Sequence, residues 1–315
     1  MENIWNSKPR IVLSRCINKE FVRYNGGIIK DDFVEKLEKY VELITVCPEV
    51  DIGMPVPRPS LLLAKIGEKI KMIEPNTKTD YTDKMEEFSV SFLKNLGEID
   101  GFLLKAKSPS CGVKDAKLYK HDLKSPLGKT NGIFADYAIN FFPYVPVEDE
   151  GRLRDFWIRQ DFLTKIFAYA DFRRLKTSIK SIKDLIRFHQ DYKYLLMLYS
   201  PSNQKKMGRL LANWDQIGLN ETIKRYEELF RETFSKKQSL PHHINILQHI
   251  YGHFSNLIKP KEKRHFKHLL DKLKDNREYL KVVVEFTRNL IYRFEDPYLP
   301  TQKYLNPYPE ELEQN

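Results

Sequence analysis

Three short apolar runs in the first third of the chain, at residues 11–13, 43–46 and 101–104, are bounded by Ser, Pro or Gly. Runs of this length with such boundaries are typical of buried strands. Two stripes of apolar residues at helical spacing, at 31–42 and 83–96, lie among these runs. The order strand, helix, strand, linker, helix, strand predicts an α/β fold with a parallel sheet of the doubly wound kind.

From residue 151 onward the apolar positions recur with helical periodicity. This helical pattern is interrupted at Ser200-Pro201, Gly218, Leu240-Pro241 and Lys259-Pro260. The pattern and its interruptions predict an all-α domain of about six helices. A Pro-rich, acidic seam at 142–150 marks the boundary between a first domain, 1–150, and a second, 151–315. The Pro-rich segment 296–315 is expected to pack on the helices without regular structure.

Length and hydropathy indicate how many domains the chain can form and argue against a membrane protein. At 315 residues the chain is long enough for two domains. Its mean hydropathy of -0.53 and the lack of an apolar stretch of about 20 residues argue against a membrane span. Residues 1–5 show no signal-peptide core. We expect a soluble, cytoplasmic protein, where thiols stay reduced.

Charge divides the chain into unlike halves. Residues 1–150 carry 22 Lys and Arg against 23 Asp and Glu, whereas residues 151–315 carry 31 against 20. Clustered basic residues are the electrostatic footprint of nucleic-acid binding. A solvated basic surface on a helical domain is the alternative interpretation.

The chain has three cysteines, Cys16, Cys47 and Cys111, and each follows one of the apolar runs. Ligands of open α/β sheets collect at the carboxyl ends of the strands, so the three thiols are expected to converge on one edge. Their spacings match no zinc finger or ferredoxin pattern. A metal centre and three buried, structural thiols both remain possible on this ground.

Polar residues accompany two of these cysteines. Glu49 lies two residues after Cys47, and Ser108 begins the turn that contains Cys111. Side chains two residues apart on an extended segment point to the same face. Glu49 and Ser108 are therefore candidates to face the same site as the thiols, although a surface charge and a turn residue are the simpler interpretations.

Five segments of the first half together resemble the 2-thiouracil desulfidase (TudS-like) family. They are Ser14-Arg15-Cys16, Val22 to Gly27, Cys47-Pro48-Glu49 with Pro57-Arg58 following, Asp80-Tyr81-Thr82, and Leu104 to Gly112. The second half resembles the YbgA-type helical domain of the longer members. That likeness is carried by 188–196, 208–210, 246–252 and the closing stretch from Arg293 to Glu310.

The resemblance implies a 4Fe-4S cluster held by Cys16, Cys47 and Cys111, with one iron left open. Clusters of electron-transfer proteins are ordinarily held by four cysteines, whereas an open iron can bind a thiocarbonyl sulfur and polarise its carbon as a Lewis acid. The implied enzyme is a non-redox desulfidase in which Glu49 is the general base on water. Ser108 would orient the substrate or relay a proton to the departing sulfur.

Three further residues of the motifs are candidates for substrate binding. Arg23 and Arg58 can contact a base or a phosphate, and Tyr24 can stack on a base. Surface ion pairs and ordinary packing are the alternatives for these side chains.

The substrate that the resemblance favours is 4-thiouridine in tRNA, with residues 151–315 as the tRNA-binding part. A polyanionic substrate would account for the basic second half, because phosphate contacts dominate affinity for nucleic acid. His189 and Lys193 share a helix face and are candidate RNA contacts. Two alternatives stay open, a desulfidase of free thiouracil-type bases and a non-enzymatic iron-sulfur or RNA-binding protein.

Overall fold

The computed structural model describes residues 7–313. Within them the chain forms eight strands and twelve helices, with several short 3₁₀ turns. The strands are β1 (Arg10–Ser14), β2 (Glu42–Val46), β3 (Leu62–Ile66), β4 (Lys69–Ile73), β5 (Gly101–Leu104), β6 (Ala116–Tyr119), β7 (Pro126–Thr130) and β8 (Val147–Asp149). The helices are α1 (Asp32–Leu37), α2 (Pro48–Asp51), α3 (Thr82–Lys94), α4 (Ile133–Phe141), α5 (Phe156–Ser178), α6 (Ile182–Tyr199), α7 (Pro201–Ala212), α8 (Trp214–Ile217), α9 (Leu219–Ser235), α10 (Leu240–Gly252), α11 (Pro260–Asp275) and α12 (Leu280–Phe294).

The three predicted strands form the centre and one side of a four-stranded parallel sheet, in the order β2-β1-β5-β8. Val12 of β1 pairs with Ile44 of β2 on one side and with Phe102 of β5 on the other. The next strand in the chain, β2, therefore lies on one side of β1, and the later strand β5 lies on the other. Such a reversal of direction is where open α/β sheets bind ligands, at the carboxyl ends of the strands.

The apolar runs are continuous because helices cover both faces of this sheet. Along β1, Val12 packs into the core of one face, while Ile11 and Leu13 pack into the core of the other, as the alternation of strand side chains requires. Helices α3 and α4 contribute to the first core, and α1 and α5 contribute to the second. The prediction of a parallel α/β fold is confirmed.

A second sheet was missing from the prediction. It has the order β4-β3-β6-β7 and is mixed, since β3 pairs antiparallel with β4 and parallel with β6. Its strands carry many exposed polar residues, and β7 is exposed along most of its length. In β4 and β6 lysines interrupt the apolar residues, whereas the apolar run Leu61 to Ala64 at β3 was not singled out as a strand.

The Pro-rich, acidic seam is part of the parallel sheet. It contains β8, in which Glu148 pairs with Leu103 of β5. The next helix, α5, packs on the sheet through Phe162 and Ile166. The two compact units of the structure accordingly divide inside α5, with residues 175–307 in the second unit. The boundary expected at residue 150 lies before this helix.

The second unit is helical, as predicted, and contains α6 to α12. About six helices were expected from residue 151 onward; this unit alone has seven, including the single turn α8. Helix α7 lacked a recognisable stripe because it buries only two apolar side chains, Met207 and Leu211. The expected breaks at Ser200, Gly218 and Lys259 each precede a new helix.

The C-terminal segment is shared between the units. Its described part contains two 3₁₀ turns, at Leu299–Thr301 and Glu310–Leu312. Tyr304 contacts His243 of the second unit, whereas Tyr308 and Leu312 belong to a core of the first. None of the helices among residues 7–313 combines the length and the apolar character needed to cross a membrane. The expectation about a signal peptide concerns residues that lie outside the described part.

Candidate active site

The three cysteines lie together at the carboxyl edge of the parallel sheet. Cys16 follows β1, Cys47 follows β2, and Cys111 lies in the turn after β5. All three thiols are free and buried, and all three line one cavity of about 240 Å³. The expected convergence of the thiols on one edge is therefore present in the fold.

Burial holds these thiols in the protonated form when no metal is bound. Burial and, to a smaller extent, the Cys47 thiol raise the pKa of Cys16 to about 12. Burial also raises the pKa of Cys47 and of Cys111. Because a thiol must lose its proton to bind a metal, loading of this site releases protons.

Thiolates are the usual ligands of iron-sulfur clusters. Within the described part of the chain, no three His, Cys, Asp or Glu side chains are close enough to bind one metal ion. A single ion would draw all its ligand atoms to about 2 Å from one point, whereas a cluster takes each thiolate on a different iron. Nearby cations, Lys105 and Arg23 at Cys16 and Arg58 at Cys47, favour the thiolate forms. The chemistry of three thiols on one cavity fits an iron-sulfur cluster, and their ligation of a 4Fe-4S cluster stays a prediction.

Glu49 lines the same cavity, but the reasoning that placed it there needs correction. Cys47 precedes the short helix α2, and Glu49 is the second residue of that helix. The segment is thus helical, and the same-face rule for extended chains does not apply. The Glu49 side chain reaches the cavity because its carboxylate binds two partners from elsewhere in the fold.

Those partners are Arg58 and Ser110. The Nε and Nη2 atoms of Arg58 lie 2.8 and 2.7 Å from Oε2 of Glu49. The Ser110 hydroxyl donates to Oε1 at 2.8 Å. Glu49 is only 8% exposed, and charge-assisted contacts of this length are the strong class of hydrogen bond. The two oxygens of the carboxylate are thereby held by different elements.

Ser108 forms the other end of a chain of hydroxyls. Its Oγ lies 3.0 Å from Oγ of Ser110 and accepts hydrogen bonds from the backbone N–H groups of Ser110 and Cys111 at 3.2 and 3.1 Å. Since the Ser110 proton points to Glu49, the Ser108 hydroxyl donates to Ser110. Sequence reasoning missed Ser110, although it stands beside Cys111 in the motif that was singled out.

Helix α4 fixes the turn that carries these serines. The N–H of Ile133 donates to the Pro109 carbonyl and that of Ala135 to the Ser110 carbonyl, each at 3.0 Å. Free N–H groups in the first turn of a helix need such acceptors. The position of the serines and of Cys111 therefore depends on the start of α4.

The remaining predicted residues, Arg23, Tyr24 and Arg58, also line the cavity. Tyr24 is 43% exposed, and the Arg23 guanidinium carbon lies 5.7 Å from the centre of its ring. Arg58 differs from these two, because it is buried and its Nη1 also donates to the Val22 carbonyl at 3.1 Å. All eight predicted site residues line the cavity: Cys16, Arg23, Tyr24, Cys47, Glu49, Arg58, Ser108 and Cys111. Their individual roles stay predictions.

Two family models match parts of the chain. The sequence model of the family described as 2-thiouracil desulfurase matches residues 11–150. Residues 11–150 match this family, and we call them the desulfurase domain. A second family, described as a protein of unknown function (DUF1722), matches residues 193–309. The desulfurase domain contains every residue that lines the cavity.

Two individual proteins are similar to parts of the chain. The uncharacterized protein YbgA of Escherichia coli (strain K12) is 24% identical over 148 residues, which are 47% of this chain and 88% of YbgA. A solved structure, named as the 4Fe-4S-dependent thiouracil desulfidase TudS, is 26% identical. It covers 47% of this chain and 95% of its own, with a TM-score of 0.37.

Outside the desulfurase domain, the structure changes the interpretation of His189. Its ring is buried, and Nδ1 lies 3.2 Å from the hydroxyl of Tyr226. Burial lowers the pKa of His189 to about 4. The prediction that His189 contacts RNA is therefore wrong for this conformation, because a buried neutral ring presents no charge to a phosphate.

Proposed function

We propose that this protein is an iron-sulfur-dependent desulfidase that removes sulfur hydrolytically from a thiolated pyrimidine, and that its substrate is 4-thiouridine in tRNA. The observation that carries the proposal is the cavity of the desulfurase domain, which three buried thiols share with the Glu49 carboxylate. Thiolates supply the ligands of a cluster, and a carboxylate supplies a base. The products would be uridine and sulfide.

Cys16, Cys47 and Cys111 are the residues that would hold the cluster. With three protein ligands, the bound cluster offers one iron as a Lewis acid for a thiocarbonyl. The three thiols are buried, with 4 to 8% of each residue exposed. The remaining side chains then have to position the base and move protons.

Glu49 is the group that takes a proton from the attacking water. Its Oε1 accepts one hydrogen bond, from Ser110, and a carboxylate oxygen has a second lone pair for another donor. The Ser108 hydroxyl stands at the other end of the same chain of hydrogen bonds. The proton that Glu49 takes from water can return through Ser110 to Ser108 and from there to the departing sulfur, with both hydroxyls reversing their hydrogen bonds as it passes.

The tRNA part of the proposal is supported by charge. Residues 151–315 carry 31 basic against 20 acidic residues. Helix α7 has no acidic residue at all, and its Lys205, Lys206 and Arg209 are exposed. Turning a stacked base outward costs a few kcal/mol, and phosphate contacts can offset that cost. Tyr24, which lines the cavity and is 43% exposed, would stack on the base.

One observation favours a different substrate, a free thiouracil-type base. Every side chain that lines the cavity belongs to residues 14–111 of the first unit. A free base needs nothing further for binding. The helical domain would then serve another purpose, and catalysis would be insensitive to salt.

The deciding experiment is anaerobic reconstitution followed by incubation with tRNA that contains 4-thiouridine. We expect loss of the near-ultraviolet absorption of the thio-base together with release of sulfide. Free 4-thiouracil, tested in parallel at low and high salt, separates the two substrates. Absence of sulfide from both substrates, with a fully assembled cluster, would refute a desulfidase and leave a non-enzymatic iron-sulfur protein.

A further inference from the structure

We propose that Arg58 and Ser110 are positioning residues that aim the Glu49 carboxylate into the cavity, and that Arg58 is therefore not a substrate contact. This inference rests on the proposed function of the site. It assigns Arg58 a role other than the contact with a base or phosphate that was expected from the sequence. It also adds Ser110, for which the sequence predicted no role.

The geometry of the carboxylate is the first argument. Two of the three guanidinium nitrogens of Arg58, Nη2 and Nε, are directed at one oxygen, Oε2, at 2.7 and 2.8 Å. Oε1 is left with Ser110 as its partner. This asymmetric arrangement fixes the rotation of the carboxylate about its last bond. It also keeps one lone pair of Oε1 available for water.

The second argument is that Arg58 is itself immobilised by protein groups. Its side chain is only 3% exposed. Nη1 donates to the Val22 carbonyl at 3.1 Å and to the Pro55 carbonyl at 3.4 Å, and the Arg58 backbone N–H donates to the Tyr24 carbonyl at 2.7 Å. With its three guanidinium nitrogens used in this way, Arg58 has little capacity to bind a phosphate or a base.

The third argument comes from Ser110. Its carbonyl is held by the Ala135 N–H at the start of α4, and its hydroxyl stands between Ser108 and Glu49. Glu49 is thus held from two sides, by the segment after α2 and by the turn before α4. A catalytic group needs its geometry fixed within a fraction of an ångström by such supporting contacts.

The test compares Arg58→Gln, Arg58→Lys and Ser110→Ala in the reconstituted holoenzyme. Arg58→Gln should lower kcat by about 10²-fold, the cost typical of misplacing a catalytic group, with KM for free 4-thiouracil nearly unchanged. Arg58→Lys should recover only part of the rate, because an ammonium lacks the planar fork of a guanidinium. Iron content and visible absorption should equal those of the wild type in all three variants.

Arg173→Gln is the matched control. Arg173 pairs with the buried Asp100 at 2.8 Å, and Asp100 precedes β5 at the opposite edge of the same sheet. The control should lose stability without loss of kcat. An equal fall of kcat in Arg173→Gln would overturn the inference in favour of general destabilisation. A raised KM with normal kcat in Arg58→Gln would make Arg58 a substrate contact, and loss of iron would make it a support of the cluster.

A crystal structure of Arg58→Gln provides a readout that does not depend on turnover. We expect the Glu49 carboxylate to rotate away from the position that it has beside Ser110. An unmoved carboxylate would overturn the inference whether or not the enzyme is active. Failure of the wild-type holoenzyme to release sulfide from any thio-base would instead overturn the proposed function, and the position of Glu49 would still decide the role of Arg58.

Discussion

Gly132 lies directly against the backbone of Ser110. A Cβ at position 132 would be 2.5 Å from the Ser110 carbonyl oxygen and 2.7 Å from the backbone nitrogen of Cys111. Neither group is the end of a flexible side chain, so the turn itself would have to move. The close approach at the start of α4 therefore fixes the position of the serine and cysteine of the candidate site.

We expect Gly132→Ala to displace this turn. The overpacking should destabilise the protein by about 1–3 kcal/mol and reduce the iron bound after reconstitution. Urea unfolding and iron analysis measure the two effects. Gly252→Ala is the control, because a Cβ at Gly252 meets no atom within 4 Å. Equal iron content in the two variants would show that the turn tolerates the displacement.

Cys16, Cys47 and Cys111 provide the most direct test of the cofactor. Replacing any one of them by Ser should prevent assembly of a stable cluster, since a serine oxygen is a poorer ligand than a thiolate for iron-sulfur centres. Iron and labile sulfide analysis and visible absorption give the result. If one of the Ser variants keeps a complete cluster, the corresponding cysteine is one of the buried structural thiols that the sequence also allowed.

The Glu49→Gln variant separates assembly of the cluster from catalysis. An amide of the same shape can still accept from Arg58 through its oxygen and donate to the Ser110 hydroxyl through its NH2 group, but it cannot serve as a base. We therefore expect unchanged visible absorption together with a fall in turnover of about 10² to 10⁴-fold, the range typical of general base catalysis. Full activity of this variant would remove Glu49 from the mechanism.

The sequence predicted those parts of the site that depend on the pattern of apolar residues along one segment of the chain. Buried parallel strands are continuous apolar runs, so the strands before Cys16, Cys47 and Cys111 were recognisable, and their shared edge followed from the α/β order. The second sheet escaped in part because lysines interrupt the apolar residues of β4 and β6, whereas the apolar run at β3 was a signal that was not used. The pairing of Arg58 with Glu49, and of Ser110 with Glu49, also escaped, because these contacts join segments whose approach is set by packing.

Two buried histidines predict acid sensitivity of the helical unit. Burial lowers the pKa of His189 from 6.5 to about 4 and that of His243 from 6.5 to about 3. Each ring regains its ordinary pKa on unfolding, so protons bind preferentially to the unfolded chain. Stability should therefore fall as the pH decreases from about 6.5 toward 4, with a slope of about 1.4 kcal/mol per pH unit for each histidine.

Urea unfolding between pH 7 and pH 4.5 measures this slope, with helical circular dichroism as the signal. His189→Gln should be less stable at pH 7 and should show a shallower slope than the wild type. His249→Gln is the control, since His249 is exposed on α10, and its slope should match the wild type. Parallel slopes for all three proteins would mean that other groups dominate the acid response.

Helix α7 provides the test of the tRNA proposal. Lys205, Lys206 and Arg209 are exposed on this helix, and no hydrogen bond or ion pair engages their side chains within residues 7–313. If these residues bind phosphates, replacing all three by Glu, which reverses their charge, should weaken tRNA binding. The slope of log K against log salt should also become shallower, by about 0.9 for each phosphate that the variant no longer neutralises. Desulfuration of free 4-thiouracil should remain at the wild-type rate.

The matched control reverses three exposed lysines of the first unit, Lys117, Lys120 and Lys124. It changes the net charge by the same amount, so long-range electrostatics alone would weaken binding equally in both variants. A larger decrease of affinity and of salt slope for the α7 variant would place the phosphate-binding residues on that helix. Equal decreases would attribute the effect to net charge, and unchanged binding in both would favour the free base as substrate.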